Sequence, residues 1–182
     1  MDAIVASRCR RLAAIVYDEQ AYPDDILMEV IVRCRKAGFP LAGIIQRRIG
    51  GSVHRCHMLF VNLATGEQTS IFVDRCPASR GCKLDEDAML QVVAQLGQDL
   101  AKGPKLLVLN KFGKVEAESV GMRELIAQAI FDGIPAVIGV PKRNLSAWRE
   151  FAGDLSIELH HSWEVDDWLS RTAGCPPSTG QR

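Results

Sequence analysis

The sequence predicts an α/β protein of three layers, a mostly parallel sheet between two layers of helices, with a β-hairpin inserted at residues 54–74. Three observations carry that prediction. Short apolar runs alternate with segments of helical periodicity along most of the chain, as in successive βαβ units. Two of the runs, KLLVLN at Lys105–Asn110 and PAVIGV at Pro135–Val140, are apolar almost without interruption, as strands covered on both faces are. One stretch breaks the alternation: His57–Asn62 and Thr69–Val73 are β-rich and are separated by a glycine-containing connection, Leu63–Gln68.

The elements follow in chain order. Leu12–Tyr17 reads as the first strand. Pro23 to about Ala37 reads as a helix, with Ile26, Val30, Cys34 and Ala37 on one face and Gly38 as its stop. Leu41–Gln46 is the second strand. After the hairpin an irregular loop is expected over Asp74–Lys83, then an amphipathic helix over Asp85–Leu100. Ala88, Met89, Val92, Val93, Leu96 and Leu100 recur there at helical spacing, and Asp85 is placed to cap the helix. KLLVLN leads through a charged loop into a helix from Val120 to Phe131, ended by Gly133. PAVIGV precedes a short helix, opened by Asn144 or Ser146 and running through Phe151. An edge-type strand at Ile157–Leu159 and a helical turn or two at Val165–Ser170 follow, with Asp166 and Asp167 as capping acids. One α/β domain over residues 1–171 is therefore expected, with a flexible tail at 172–182 where Gly, Pro and Ser accumulate.

The chain has 182 residues, 47 % of them hydrophobic and 24 % charged, enough for one domain with its own core. Lys+Arg and Asp+Glu both count 22, and a formal net charge of zero argues against a general nucleic-acid binder, whose affinity rests on many cation–phosphate contacts. No apolar run approaches the roughly 18–20 residues that span a bilayer, so no membrane insertion is expected. Leu12–Tyr17 is too short for the core of an export signal, and a cytoplasmic protein is expected. In that compartment the six cysteines, Cys9, Cys34, Cys56, Cys76, Cys82 and Cys175, stay reduced. Cys34 then reads as inert packing, and Cys175 falls in the tail. Self-association as a homo-oligomer, through a sheet edge or the hairpin, is compatible with this pattern, which fixes no oligomeric state.

In an open α/β sheet ligands bind beyond the carboxyl ends of the strands. Three segments should line such a site: Asp18–Asp25, Lys111–Gly121 and Pro141–Asn144. The first, with Tyr17 before it, reads YDEQAYPDD; it has no glycine and no lysine, and its four carboxylates would repel a triphosphate. The Gly-Lys-Ser/Thr cradle that holds phosphates is missing, and Asp24 and Asp25 fit a helix start as acids complementing its dipole. In the second segment the strand ends in Asn110 and Lys111, where a nucleoside-triphosphatase usually places an acid that helps hold Mg²⁺. An amide and a cation are poor magnesium ligands and good anion donors. Lys111, Lys114, Arg123 and the N–H groups of the following helix thus predict a small anion pocket, with Asn110 and Gly113 adding hydrogen bonds or close backbone approach. The same charges also fit a solvated loop in which Lys and Glu pair.

GIIQRR at Gly43–Arg48, NLATGE at Asn62–Glu67, RGCKLDEDAML at Arg80–Leu90, the block Leu106–Ile130 containing NKFGK, GIPAVIGV at Gly133–Val140 and NLSAWREFAG at Asn144–Gly153 resemble the bacterial domain-of-unknown-function family 2478. The resemblance covers most of residues 12–160. It implies the layout of thermophile-type P-loop nucleoside-triphosphatases with eroded nucleotide motifs, and an association with molybdenum uptake. It further implies molybdate or a similar oxyanion as the ligand, with molybdenum transport or cofactor-assembly proteins as partners, and the missing Gly-Lys-Ser/Thr cradle makes non-catalytic binding the expectation. The family more often has a glycine where this chain has Ser119. A nucleotide-binding or weakly hydrolysing protein that has kept the layout is the alternative. Cys82, in the GC-LD block of the resemblance, lies just before a helix start. It is a candidate anion neighbour or reactive thiolate, or else a small packing residue.

A further alternative is a thiol or transition-metal protein. His54, Cys56 and His57 precede the hairpin while Cys76 and Cys82 follow it, a set that would suit Zn²⁺ or Cu(I) in a spacing that matches no standard zinc pattern. Unrelated surface or buried residues are the competing reading. No nucleophile elbow is present, and no catalytic residue is assigned.

Overall fold

The computed structural model of the protein describes residues 10–18, 23–48, 58–74, 82–113 and 122–175. Through these residues run β1 (Leu12–Tyr17), α1 (Asp24–Lys36), β2 (Leu41–Arg48), β3 (Met58–Asn62), β4 (Gln68–Ser70), β5 (Phe72–Asp74) and β6 (Cys82–Leu84). There follow α2 (Glu86–Ala101), β7 (Leu106–Leu109), α3 (Met122–Phe131), β8 (Ala136–Pro141), α4 (Leu145–Ala152), β9 (Ser156–Leu159) and α5 (Ser162–Thr172). The main sheet orders seven strands as β4-β3-β2-β7-β8-β1-β9. The run β2-β7-β8-β1-β9 is parallel throughout. β3 and β4 are antiparallel and extend one edge.

The alternation of side chains along β1 divides the core in two. Leu12, Ala14 and Val16 pack on one face with Leu96 of α2, Ile126 of α3 and Trp148 of α4. Ala13 and Ile15 pack on the other with Ile31 of α1 and Leu169 of α5. The result is the three-layer arrangement expected. Burying one such large aliphatic side chain contributes roughly 1.5–3 kcal/mol. β2 and β7 approach so closely that a Cβ built on Gly43 would lie 1.9 Å from the Val108 carbonyl oxygen, so only glycine fits there.

The hairpin forms, but it continues the main sheet, and its second arm is divided. β4 ends at Ser70, Ile71 is buried, and Phe72–Asp74 turns away to pair with Cys82–Leu84 in a separate two-stranded sheet. The span expected as an irregular loop, Asp74–Lys83, therefore begins and ends in strand pairing. The reason is local. Phe72 packs against the core beside α2, and Asp85 donates its backbone N–H to the Ile71 carbonyl at 2.8 Å, which draws the two short strands together. Asp85 caps α2 as expected, accepting the Ala88 N–H at 3.0 Å.

The C-terminal part departs from expectation in two places. α5 begins at Ser162, and Asp166 and Asp167 do not cap it: Asp166 pairs with Arg33 of α1, and Asp167 with Arg171 one turn on. Glu164 serves the helix start instead, accepting the N–H groups of His160 at 2.7 Å and His161 at 2.9 Å, which hold its carboxyl below the usual range. Thr172 still belongs to α5 and Cys175 is 1 % exposed, so the packed chain runs past the expected boundary at 171.

A buried polar tie joins the hairpin to α2 at the amino ends of β2 and β7. Asn62 accepts the N–H groups of Ala64 and Thr65 at 2.7 and 3.0 Å, fixing the turn, and donates to Asp99 at 2.7 Å. Lys102 and Gln95 also donate to Asp99, at 2.8 and 3.3 Å. Burial by itself would raise the Asp99 pKa, but the bonds from Asn62 and Lys102 outweigh it and hold the carboxyl below its ordinary value.

Candidate functional site at the carboxyl ends of the strands

β1 and β8 are neighbours, yet the helices that follow them go to opposite faces: α1 to one, and α4 to the other after a short 3₁₀ turn at Lys142–Asn144. A parallel sheet opens into a crevice at such a place. The register sets Tyr17 opposite Pro141, so Asp18 and Lys142 leave the sheet side by side. Lys142 Nζ lies 2.9 Å from one oxygen of the Asp18 carboxylate and 3.0 Å from the other. Both side chains face water, 57 % and 68 % exposed. Beneath them the floor is tight. A Cβ built on Gly139 would lie 2.2 Å from the Asn110 carbonyl oxygen and 3.2 Å from Pro23 Cγ, so glycine lets the chain entering α1 and the end of β7 close over β8.

The end of β7 is locked from both sides. Phe112 donates its N–H to the Gly139 carbonyl at 2.7 Å, and its own carbonyl accepts from Asn144 Nδ2 at 2.7 Å. Its ring, 1 % exposed, meets Trp148 edge-on at 5.1 Å and stacks on Phe151 at 6.0 Å. The Arg123 guanidinium, from the first turn of α3, lies 4.7 Å from the Phe151 ring centre, within cation–π range. Asn110 and Gly113 are buried and Lys111 is half-buried beside this lock. On the far side β2 overhangs β7. Ile44 pairs with Leu109, while β2 continues to Arg48 against β3. Exposed Arg47 thus stands about 10 Å beyond the last paired residue of β7.

Of the residues singled out in the sequence, Asn110, Lys111, Gly113 and Arg123 come together at this end of the sheet. Lys114, His54, Cys56, His57 and Cys76 lie outside the described residues. Cys82 opens β6 opposite Asp74, in the small separate sheet, and α2 begins only at Glu86. Among the described residues no group of three or more His, Cys, Asp or Glu side chains could hold a metal ion. Two clefts, of about 260 and 190 Å³, lie away from the crevice: one at the amino ends of β2 and β7, the other between the hairpin and α2. The Asp18–Lys142 bridge and the Phe112–Asn144 lock are not visible in the sequence. Their one signal is that LAAIVY and AVIGVP are apolar runs of equal length, each followed by a charged residue, and seeing its meaning requires knowing that the two runs pair.

A three-layer domain with its crevice beyond β1 and β8 has the layout of the P-loop nucleoside-triphosphatases, here with no glycine between β1 and α1 to form a phosphate cradle. The crystal structure of THEP1 from the hyperthermophile Aquifex aeolicus is similar, with a TM-score of 0.57 at 12 % identity over 88 % of this chain and 94 % of that one. The chain belongs to the family described as "Protein of unknown function (DUF2478)", whose pattern matches residues 12–168. It is also 34 % identical over 150 residues to a protein of Bradyrhizobium diazoefficiens called Molybdenum import ATP-binding protein ModC 2. That match takes in 82 % of this chain and only 17 % of the relative's length.

Among the described residues no helix is long and apolar enough to cross a membrane.

Proposed function

We propose that the protein binds a small oxyanion, molybdate, in the crevice beyond β1 and β8, and that it serves molybdenum handling without catalysing a reaction. The observation that most supports this reading is the Asp18–Lys142 bridge, where one lysine at the switch point holds two oxygens of an anion at about 3 Å. A tetrahedral oxyanion offers the same pair of oxygens. Lys111, Arg123 and Arg47 add donors on the β7 and β2 side, and cations of this kind bind anions rather than Mg²⁺. The choice of molybdate rests on the relative named for molybdenum import, which also suggests molybdenum transport or cofactor-assembly proteins as partners.

Nucleotide binding is the second reading, favoured by the P-loop-like layout and by the relative named as an ATP-binding protein. A thermal-shift titration with molybdate, sulfate, phosphate and Mg-ATP at matched ionic strength separates the two. A ligand at 100 times its Kd stabilises by roughly 2.7 kcal/mol, which is on the order of 5–11 °C for a domain of this size. A rise with molybdate that is lost in Lys142→Ala or Lys111→Ala is the expected result. A rise with Mg-ATP alone would replace the oxyanion reading by the nucleotide one.

A further inference from the structure

We propose that Cys34 and Cys175 form a thiol–disulfide exchange site that reacts with small disulfides, and that its oxidation ties the segment after α5 to α1. The two residues are 141 positions apart in the chain, yet their Sγ atoms lie 3.6 Å from each other. Both are buried, at 0 % and 1 % exposure. A closure of about 1.5 Å brings the sulfurs to bonding distance. Cys175 has the backbone freedom for that movement, because it lies beyond the end of α5 and follows Gly174, whose φ is +66°.

Arg33 adds an independent observation. Its Nη1 pairs with Asp166, while Nε and Nη2 are buried with no hydrogen-bond partner among the described residues. This places a cation with two uncommitted donors next to Cys34 in the chain, where its charge favours the thiolate. With the segment closed, burial first and the neighbouring Cys175 second push the Cys34 thiol up to about 12. Packed Cys34 is therefore a poor nucleophile, and exchange proceeds when residues 173–175 lift and admit the reagent.

The chemistry balances in two displacements. The Cys175 thiolate attacks one sulfur of the small disulfide, forming a mixed disulfide and releasing one small thiol, which takes up a proton. The Cys34 thiolate then attacks the Cys175 sulfur, forming the internal S–S bond and releasing the second small thiol. Two protein thiols are oxidised and one small disulfide is reduced.

The test is to equilibrate the full chain with glutathione disulfide and glutathione over a range of ratios, quench by alkylation, and map the peptides. The expected result is a linked Cys34–Cys175 peptide. It comes with a melting temperature raised on the order of 10–20 °C over the reduced protein, since the bond closes a loop of more than 100 residues. Cys175→Ser should abolish both effects, and Cys34→Ala gives an independent second variant. Recovery of both cysteines as free thiols at every ratio would overturn the proposal. So would Cys175 linked to another cysteine or left as its glutathione adduct, or a linked peptide with no rise in melting temperature.

Discussion

Two lysine–aspartate bridges of nearly equal length sit at opposite ends of the sheet. Lys102 reaches Asp99 at 2.8 Å at the amino ends of the strands, and Lys142 reaches Asp18 at 2.9 Å at the carboxyl ends. Distance does not separate them, but their surroundings do. The Asp99 side chain is 1 % exposed and accepts from Asn62 and Gln95 as well as Lys102. The Asp18 side chain is 68 % exposed. The first bridge completes a buried network, in which a missing partner costs the full desolvation of whatever remains. The second is a surface pair, whose net contribution is typically below about 1 kcal/mol. A structural bridge and an exchangeable one are thus told apart by burial and by the number of donors on the carboxylate.

Substitutions can break this contrast, beginning with the largest expected effect. Phe112→Ala removes the ring under the β7 end and should cost about 3–5 kcal/mol, seen as a fall in melting temperature on the order of 10 °C. It should also abolish any oxyanion-dependent shift, because Lys111 loses its support. Asn62→Ala strips one donor from Asp99 and the acceptor from two turn N–H groups, and urea melts should report a loss of about 2–3 kcal/mol. Acid should act on the same cluster. Asp99 is held below its ordinary pKa, so its contribution is complete above the unfolded value of about 4 and is lost as pH falls through the depressed folded value. Melting curves at descending pH should show that loss in the wild type and a shallower one in Asp99→Asn. At the other end, Asp18→Asn should shift the melting temperature by no more than a few degrees. In the oxyanion reading it should nevertheless tighten molybdate binding, measured by calorimetry, because it frees Lys142 from a competing charge.

Most of the scaffold is legible in the sequence because its signals are local. Apolar runs such as KLLVLN, the spacing from Ala88 to Leu100 and the Asp85 cap need only neighbours in the chain to be understood, and all reappear in the structure. The misplaced details depend on long-range contacts. Asp166 reads as a cap only while Arg33 of α1 is out of sight, and a tail from 172 only while Cys34 is not set beside Cys175. The site is half legible for the same reason. Asn110, Lys111 and Arg123 stand out as anion donors close together in the chain, whereas Lys142 gains its meaning only from the parallel register of β1 with β8. NLATGE, quoted for its family resemblance, proves to be the turn that carries the Asn62–Asp99 tie, so that block reflects architecture.

A carboxylate fixed to the wall of a crevice is also a competitor that never diffuses away. Fixed at the end of β1 where it pairs with β8, Asp18 faces Lys142 at an effective concentration of about millimolar or more. A free anion that offers charge alone and circulates at micromolar levels loses that contest. One that also engages Lys111 or Arg123 can win it. In the oxyanion reading the bridge therefore sets a threshold, and discrimination among anions rests on how many further donors each can reach.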